Sequence, residues 1–191
     1  MNSFENALYS DDFINEKTGY RAYADVVSFA KFYIAMELLG NLDPNWFYVV
    51  RERGAKIEPY PLWDAEWTLG LADIKPEGGW EYHYGTPMPY DKIVHNGGYI
   101  GRMLEDAYFR QTVKEQWSQA REFIPNMLDN LKVVQQSISQ AASRNFTRWE
   151  TLGTYVSVGL VTFDTWEEEC QFVFDYFQQR MDWFDVYIEN L

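Results

Sequence analysis

Asp43 and Asp64 are the candidate metal-binding residues of this chain. Asp43 precedes a stretch that predicts a β-hairpin, and Asp64 follows it. Two carboxylates brought close together repel each other unless a cation lies between them, so such a pair can hold a divalent metal ion. The ordinary alternatives are that Asp43 caps a loop, and that Asp64 caps a helix or forms an ion pair.

The hairpin is predicted from its strand and turn composition. Residues 46–50 are aromatic and β-branched, residues 51–54 make a polar turn that contains a glycine, and residues 56–60 make the returning strand. Paired strands of about five residues lie roughly 5 Å apart, so their outer ends are neighbours. We therefore expect Asp43 and Asp64 to be neighbours in space.

A helix that ends just before Asp43 is predicted from its caps and its apolar spacing. Asp25 is a good N-cap residue, and Gly40 is a good C-terminal residue. Between them, apolar side chains recur every three or four residues, at Phe29, at Phe32 or Tyr33, at Met36 and at Leu39. This helix would deliver residues 41–43 into the loop that precedes the hairpin.

Composition predicts one globular domain that does not bind nucleic acid. A chain of 191 residues with 47% hydrophobic residues can build one sizeable core. Its formal net charge of −13 would repel a phosphate backbone. Cys170 is the one cysteine, which excludes an internal disulfide, and its place in a helical apolar stripe predicts a buried thiol.

The apolar residues predict no membrane span, and the aromatic content allows two interpretations. No apolar run approaches the ~20 residues that cross a bilayer. Aromatic residues make up 18% of the chain, which is more than a small core needs. This excess allows either a partner surface or contact with a missing neighbouring domain, or an aromatic-rich core, and the two interpretations stay open.

The second half of the chain is predicted to be helical. Residues 99–104 form a short helix, and Asp106 begins a helix that ends before Pro125. Pro125 then opens a following helix with apolar residues on one face, and residues 145–148 break that pattern. The members of that face are Leu128, Leu131, Val134, Ile138 and Ala141.

The last helix is predicted by a capping box between Thr165 and Glu168. Apolar residues then repeat every three or four positions, at Trp166, Cys170, Val173, Phe177, Met181, Phe184, Ile188 and Leu191. A stripe that regular predicts a core or helix-partner face. Residues 155–163 allow either a strand or a loop. Residues 73–98 lack any helical or strand period and predict a long surface loop, either functional or an idle excursion.

Four short blocks of sequence resemble the CotH family, atypical kinases first known from bacterial spore coats. The blocks are AYADVVSF at 22–29, ELLGNLD at 37–43, PLWDAEW at 61–67 and RW at 148–149, within a similarity that runs from about residue 12 to the end. The resemblance implies the larger, C-terminal lobe of a protein-kinase-like fold, mainly α with a small β-hairpin (α+β). In that fold a helix leads to a catalytic aspartate, then a hairpin, then an aspartate that binds Mg²⁺.

The resemblance also implies roles for individual residues. Asp43 would be the catalytic residue, and Asp64 would bind the metal ion. Asn41 and Asn45 would be candidates for a second, weaker metal ligand. The implied cofactors are Mg²⁺ or Mn²⁺ and ATP, the implied partner is a protein substrate, and the implied setting is secreted or the spore coat.

Two residues beside Asp64 would complete this implied site. Glu66 stands where many relatives carry a second aspartate, and it would be a ligand or would hold a basic residue. Trp63, together with Trp67, brackets Asp64 with bulk that would exclude water. The residues that contact the nucleotide stay unassigned.

The sequence departs from the kinase pattern in two respects. The asparagine that stands five residues after a kinase's catalytic aspartate is here Tyr48. No glycine-rich loop, strand lysine or helix glutamate of a smaller lobe is found before Asp25. We therefore expect residues 1–24 to be a lead-in and residues 25–191 to be a single C-lobe-like domain. The chain alone would be inactive unless an N-terminal lobe is supplied.

Two other classes of function stay open. A non-catalytic module of a secreted or spore-coat protein would bind a protein or glycan partner through the acidic, aromatic surface. A hydrolase is the weaker alternative, because no Gly-x-Ser-x-Gly motif occurs and the spacing of Asp64 and Glu66 does not suit a glycosidase pair. His83 and His95 have no cysteine near them and make a poor zinc site.

Overall fold

The computed structural model describes residues 2–40, 48–63, 65, 68–70, 98–155 and 162–191. Over these residues the chain is mainly helical with one two-stranded antiparallel sheet, which agrees with the predicted α+β class. The elements are α1 (Asn2–Leu8), a 3-10 turn (Tyr20–Ala22), α2 (Val26–Leu39), β1 (Val49–Val50), β2 (Glu58–Pro59), α3 (Tyr99–Leu104), α4 (Ala107–Arg148) and α5 (Trp166–Glu189).

Helix α2 begins and ends where the sequence predicts. The Asp25 carboxylate accepts a hydrogen bond from the Ser28 backbone N–H at 2.8 Å, which satisfies one of the free donors of the first turn. Gly40 ends the helix in a left-handed conformation with φ of 58°. A residue with a Cβ is disfavoured in this conformation, so the glycine fixes the end of the helix.

The predicted hairpin is present, with shorter strands than expected. Val49 lies opposite Pro59 and Val50 opposite Glu58, and the Tyr60 N–H donates to the Tyr48 carbonyl at 2.9 Å. Pro59 has no N–H and therefore cannot extend the regular ladder, which is one physical reason for the short pairing.

The returning strand of the hairpin is also tied to the start of α2. Ile57 donates its N–H to the Tyr23 carbonyl at 2.7 Å and accepts from the Asp25 N–H at 2.9 Å, and Ala24 and Ile57 form an isolated parallel bridge. Ile57 and Ala24 are both buried. The hairpin is therefore attached to the helical core rather than projecting freely from it.

The prediction of two helices separated at Pro125 is wrong. One helix, α4, runs from Ala107 to Arg148 with Pro125 inside it. A proline removes one backbone N–H and crowds the carbonyl four residues earlier, at a cost of about 3 kcal/mol. Ile124 on one side of it is buried, and Leu128 on the other packs against the core, so tertiary packing offsets that cost.

The expected break at residues 145–148 is also wrong. These residues complete α4, and the Trp149 N–H donates to the Asn145 carbonyl at 2.8 Å at the helix end. The Phe146 ring lies 6.2 Å from the Trp166 ring of α5. This contact gives the last turns of α4 a packing partner that sequence spacing did not indicate.

The second half of α4 is not the buried scaffold that its apolar spacing predicts. Leu131, Val134 and Ile138 are each at least 38% exposed. By contrast, Phe109, Val113, Trp117 and Ile124 in the first half are buried. The core therefore lies beside the first half of α4.

Helix α5 begins with the predicted capping box. Thr165 Oγ1 accepts from the Glu168 N–H, and a Glu168 carboxylate oxygen accepts from the Thr165 N–H at 3.0 Å. Phe177, Met181, Phe184 and Ile188 of the predicted stripe are buried, whereas Trp166, Cys170, Val173 and Leu191 are half-buried. Cys170 is thus less buried than predicted, although burial still raises the pKa of its thiol.

Helices α4 and α5 lie side by side in opposite directions. Trp117 donates its indole N–H to Asp185 at 2.8 Å near one end, and Phe146 meets Trp166 near the other. Helix α2 packs against both, through buried residues such as Tyr33 and Phe29. The three helices form the main part of the core.

The first 24 residues also contribute to this core. Phe4 and Leu8 of α1, and Phe13 and Tyr20 after it, are buried in the same hydrophobic cluster as Phe29. The segment predicted as a lead-in is therefore packed against the helical body, and the division of the chain at residue 24 stays a prediction.

Two other predictions fall largely outside the described residues. Residues 71–97, which make up most of the predicted long loop, and residues 156–161, within the predicted strand or loop, are not among them.

The predicted short helix at residues 99–104 is confirmed as α3. Among the described helices, none is both long and apolar enough to cross a membrane.

Candidate functional site

Most of the predicted site residues fall outside the described part of the chain. These are Asn41, Asp43, Asn45, Asp64 and Glu66. The separation of the Asp43 and Asp64 carboxylates therefore stays a prediction. Among the described residues, no group of three or more His, Cys, Asp or Glu side chains could hold a metal ion.

Trp63 is the one predicted site residue whose place is described. Its ring lies 5.5 Å from the Tyr48 ring at an interplanar angle of 63°, an edge-to-face contact. Trp63 is 53% exposed and Tyr48 is 46% exposed. The pair joins the two outer ends of the hairpin at its surface. Trp63 is one residue before Asp64 in the sequence, and Tyr48 is five residues after Asp43.

The two ends of the segment that contains both aspartates lie side by side. The Leu69 N–H donates to the Leu39 carbonyl at 2.7 Å. Gly40 and Gly70, the next residues at each end, both adopt a left-handed conformation, with φ of 58° and 72°. Residues 41–68 therefore leave and rejoin the described core at one place, at the C-terminus of α2.

A buried ion pair lies at this place. Glu37 of α2 is fully buried, and Arg180 of α5 is 5% exposed. Arg180 Nη2 lies 2.9 Å from the Glu37 carboxylate, and Arg180 Nε and Nη2 donate to the Glu37 backbone carbonyl at 3.0 and 2.7 Å. The guanidinium also lies over the Trp183 ring, 4.3 Å from its centroid. Arg180 thus binds both the side chain and the backbone of Glu37.

A tyrosine of α5 packs against both glycines. A Cβ placed on Gly40 would lie 2.0 Å from the Tyr176 hydroxyl oxygen, and one placed on Gly70 would lie 2.8 Å from a ring carbon of Tyr176. These distances are too short for any larger residue to fit without movement. Tyr176 therefore packs directly against the backbone of Gly40 and Gly70, where a side chain would clash with it.

Tyr33 is the ionisable neighbour of the buried carboxylate. Burial, then the charge of Glu37, raises the pKa of Tyr33 well above its ordinary value. Its hydroxyl lies 3.3 Å from the hydroxyl of Tyr187. The ring is fully buried, so Tyr33 stays neutral beside Glu37 at physiological pH.

Comparison with known proteins identifies the family to which the chain belongs. A family model described as "CotH kinase protein" matches residues 1–184, nearly the whole chain. The chain belongs to the CotH kinase family. No curated protein matches it, and no solved structure matches it. The resemblance predicted from the four sequence blocks is confirmed.

In this CotH chain, sequence reasoning missed Glu37, Arg180 and Tyr176. A usable signal was present, because Glu37 follows Tyr33 by four residues and Arg180 precedes Phe184 by four. A charged residue at a core-facing position of an apolar stripe requires a partner. One acidic and one basic residue of this kind, on two helices of the same core, predict a buried ion pair.

Proposed function

We propose that this chain is the larger, C-terminal lobe of a CotH-type protein kinase. With an N-terminal lobe supplied, it would transfer the γ-phosphoryl group of Mg²⁺- or Mn²⁺-bound ATP to a protein hydroxyl. The observation that carries the proposal is the order of parts in a CotH family member: α2 ends at Gly40, the hairpin follows, and the chain returns to α2 at Leu69. This order brackets Asp43 and Asp64.

Phosphoryl transfer depends on positioning and on neutralising phosphate charge. Asp43 would accept the proton of the acceptor hydroxyl and orient it. Asp64 would hold the metal ion, with Asn41 or Asn45 as a further ligand and Glu66 as a ligand or as the holder of a basic residue. Carboxylate and amide oxygens are the ligands that Mg²⁺ and Mn²⁺ prefer, so the available donors fit the ion. The bound ion would neutralise charge on the phosphates.

Thermal unfolding with and without Mn²⁺ and ATP tests the proposal. We expect the wild-type chain to gain stability, by about 2.7 kcal/mol when the ligand is at about 100 times its Kd. Asp64→Ala should abolish the gain. Asp11→Ala is the matched control, because Asp11 is exposed and lies outside the proposed site. A wild-type chain that gains nothing, or a gain that persists in Asp64→Ala, would refute the proposal.

The requirement for an N-terminal lobe has its own test. We expect no phosphoryl transfer from labelled ATP to casein or to the chain itself when this chain is assayed alone with Mn²⁺. Turnover by the chain alone, lost in Asp64→Asn, would contradict the requirement while supporting the role of Asp64.

A non-catalytic binding module is the second candidate, and the surface of the hairpin favours it. Tyr48, Tyr60, Leu62 and Trp63 are each at least 46% exposed. Exposed aromatic side chains of this kind stack on sugar rings or contact peptides. Glycan binding that is lost in Trp63→Ala, together with no stabilisation by Mn²⁺ and ATP, would favour this function over the kinase lobe.

A further inference from the structure

Helix α5 contacts the borders of the segment that carries both proposed site residues. Arg180 binds the carbonyl of Glu37, and the same carbonyl accepts the N–H of Gly40 at 3.2 Å. Gly40 is the last described residue before residues 41–47. A buried guanidinium thus fixes the backbone at the point where the chain leaves α2 toward Asp43.

The other border is fixed from the same helix. Tyr176 lies one helical turn before Arg180, and its ring packs against Gly70 while its hydroxyl packs against Gly40. The Leu69 N–H donates to the Leu39 carbonyl between these two contacts. The start and the end of residues 41–68 are therefore bound to each other and to α5.

We propose that Arg180 and Tyr176 are positioning residues that hold together the two ends of residues 41–68, the segment that carries Asp43 and Asp64, at the C-terminus of α2. The role assigned to the aspartates rests on the proposed function. Each of the two residues acts through the backbone of Glu37, Gly40 or Gly70. Ligands that a fixed frame holds in place bind a metal ion more tightly than ligands on a free loop.

Alternatives to this role make different predictions for the two partners of the ion pair. Two of the three hydrogen bonds from Arg180 go to the backbone carbonyl of Glu37, which remains in any variant of that residue. Glu37→Gln therefore keeps the hydrogen bonds from Arg180 to the backbone carbonyl. Arg180→Lys loses the planar guanidinium that binds both the carbonyl and the carboxylate. A pair that serves only the charge balance of the core would make Glu37→Gln at least as damaging as Arg180→Lys.

Hydrogen exchange of the full chain, combined with Mn²⁺ titration, tests the proposal. In Arg180→Lys and in Tyr176→Leu we expect the amides of Gly40 and Leu69 to exchange at least about tenfold faster, with Ala30 in the same helix unchanged. The Kd for Mn²⁺ should rise at least about tenfold in both variants and less in Glu37→Gln. Arg121→Lys is the matched control, since Arg121 also binds α5 from another helix, through Asp185 at 2.9 Å and Met181 Sδ at 3.5 Å.

Each contrary outcome has a separate meaning. If amide hydrogen exchange in Arg180→Lys rises equally at Ala30 and Gly40, Arg180 stabilises the whole fold and not these borders in particular. That result would overturn the proposal. Wild-type Mn²⁺ binding that Arg180→Lys leaves unchanged would overturn the positioning role alone. A wild-type chain that does not bind Mn²⁺ would overturn the proposed function, and the exchange pattern would still decide whether Arg180 and Tyr176 hold the two ends of the segment.

Discussion

Two buried acidic side chains, Glu37 and Asp106, are held in different ways. Asp106 is 5% exposed, accepts the Tyr20 hydroxyl at 3.0 Å and the Tyr108 N–H at 3.0 Å, and lies 3.7 Å from Arg21 Nε. It caps α4, so part of its stabilisation comes from its own helix. Glu37 is fully buried, and its ion-pair partner, Arg180, is 143 residues away in the chain.

The difference separates a local role from a long-range one. A carboxylate satisfied largely by neutral donors and by its own helix defines where that helix begins. A carboxylate that forms an ion pair with a distant guanidinium joins two helices, and here these helices meet at the border of the proposed site. We expect perturbation of Glu37 or Arg180 to affect the site, and perturbation of Asp106 to affect stability alone.

The largest expected effect is on the ion pair. Arg180→Met leaves the Glu37 carboxylate buried without its charged partner, which should lower the free energy of unfolding by about 3–5 kcal/mol. Urea unfolding measures this change. Adding Glu37→Leu should restore much of the stability, because a well-packed apolar pair can replace a buried ion pair. A loss below about 1 kcal/mol in Arg180→Met would contradict the account.

A smaller effect is expected at Asp106. Asp106→Ala removes the N-cap of α4 and leaves the buried Tyr20 hydroxyl without this acceptor, so the free energy of unfolding should fall by about 1–3 kcal/mol. Asp106→Asn keeps a capping oxygen and should lose less. Urea unfolding of the two variants is the measurement. A weaker affinity for Mn²⁺ in Asp106→Asn would contradict the separation of the two carboxylates.

Both buried carboxylates have a neighbouring tyrosine whose titration should limit stability at alkaline pH. Burial, followed by the nearby acidic charge, raises the pKa of Tyr33 beside Glu37 and of Tyr20 beside Asp106. The folded chain therefore keeps protons that the unfolded chain releases near pH ~10, so this stabilisation is complete below that pH and is lost as the pH rises further.

The measurement is urea unfolding between about pH 8 and pH 11. The free energy of unfolding of the wild-type chain should fall with increasing slope above pH ~10. Tyr33→Phe and Tyr20→Phe should each reduce that slope. An unchanged slope in both variants would show that these hydroxyls do not govern the alkaline limit.

The smallest effect is expected at the start of α5. Thr165→Ala removes one half of the capping box and should cost about 1 kcal/mol, because the Glu168 N–H loses its acceptor. Thermal unfolding measures it. Affinity for Mn²⁺ should not change, since Thr165 lies more than two helical turns before Tyr176. A change in Mn²⁺ affinity would mean that α5 influences the site along its whole length.

The parts of the fold that local chemistry determines were predictable from the sequence. Asp25 and Gly40 bound α2, Asp106 begins α4, and Thr165 begins α5, because caps act within one turn. Helix α4 was wrongly divided at Pro125, since its continuity depends on packing around Ile124 that spacing alone does not reveal. The exposure of the second half of α4 was missed for the same reason.

The order of the motifs in the candidate site could be predicted from the sequence, but the geometry of the site could not. The sequence blocks predicted the CotH family, which the family match confirms. The proposed roles of Asp43 and Asp64 stay predictions, because those residues lie outside the described part of the chain. The Arg180 and Tyr176 contacts required the fold, since they join residues more than 100 positions apart.

The proposed function requires that Asp64 hold the metal ion and that Asp43 be the catalytic residue beside it. Titration of Mn²⁺, followed by the loss of the free-ion electron paramagnetic resonance signal, tests it in the wild type, Asp43→Asn, Asp64→Asn and the double variant. We predict one ion per wild-type chain, a Kd at least about tenfold higher in Asp64→Asn, a smaller rise in Asp43→Asn, and a double variant that loses little more than Asp64→Asn alone. Wild-type affinity for Mn²⁺ in Asp64→Asn, or a larger loss in Asp43→Asn than in Asp64→Asn, would contradict these roles.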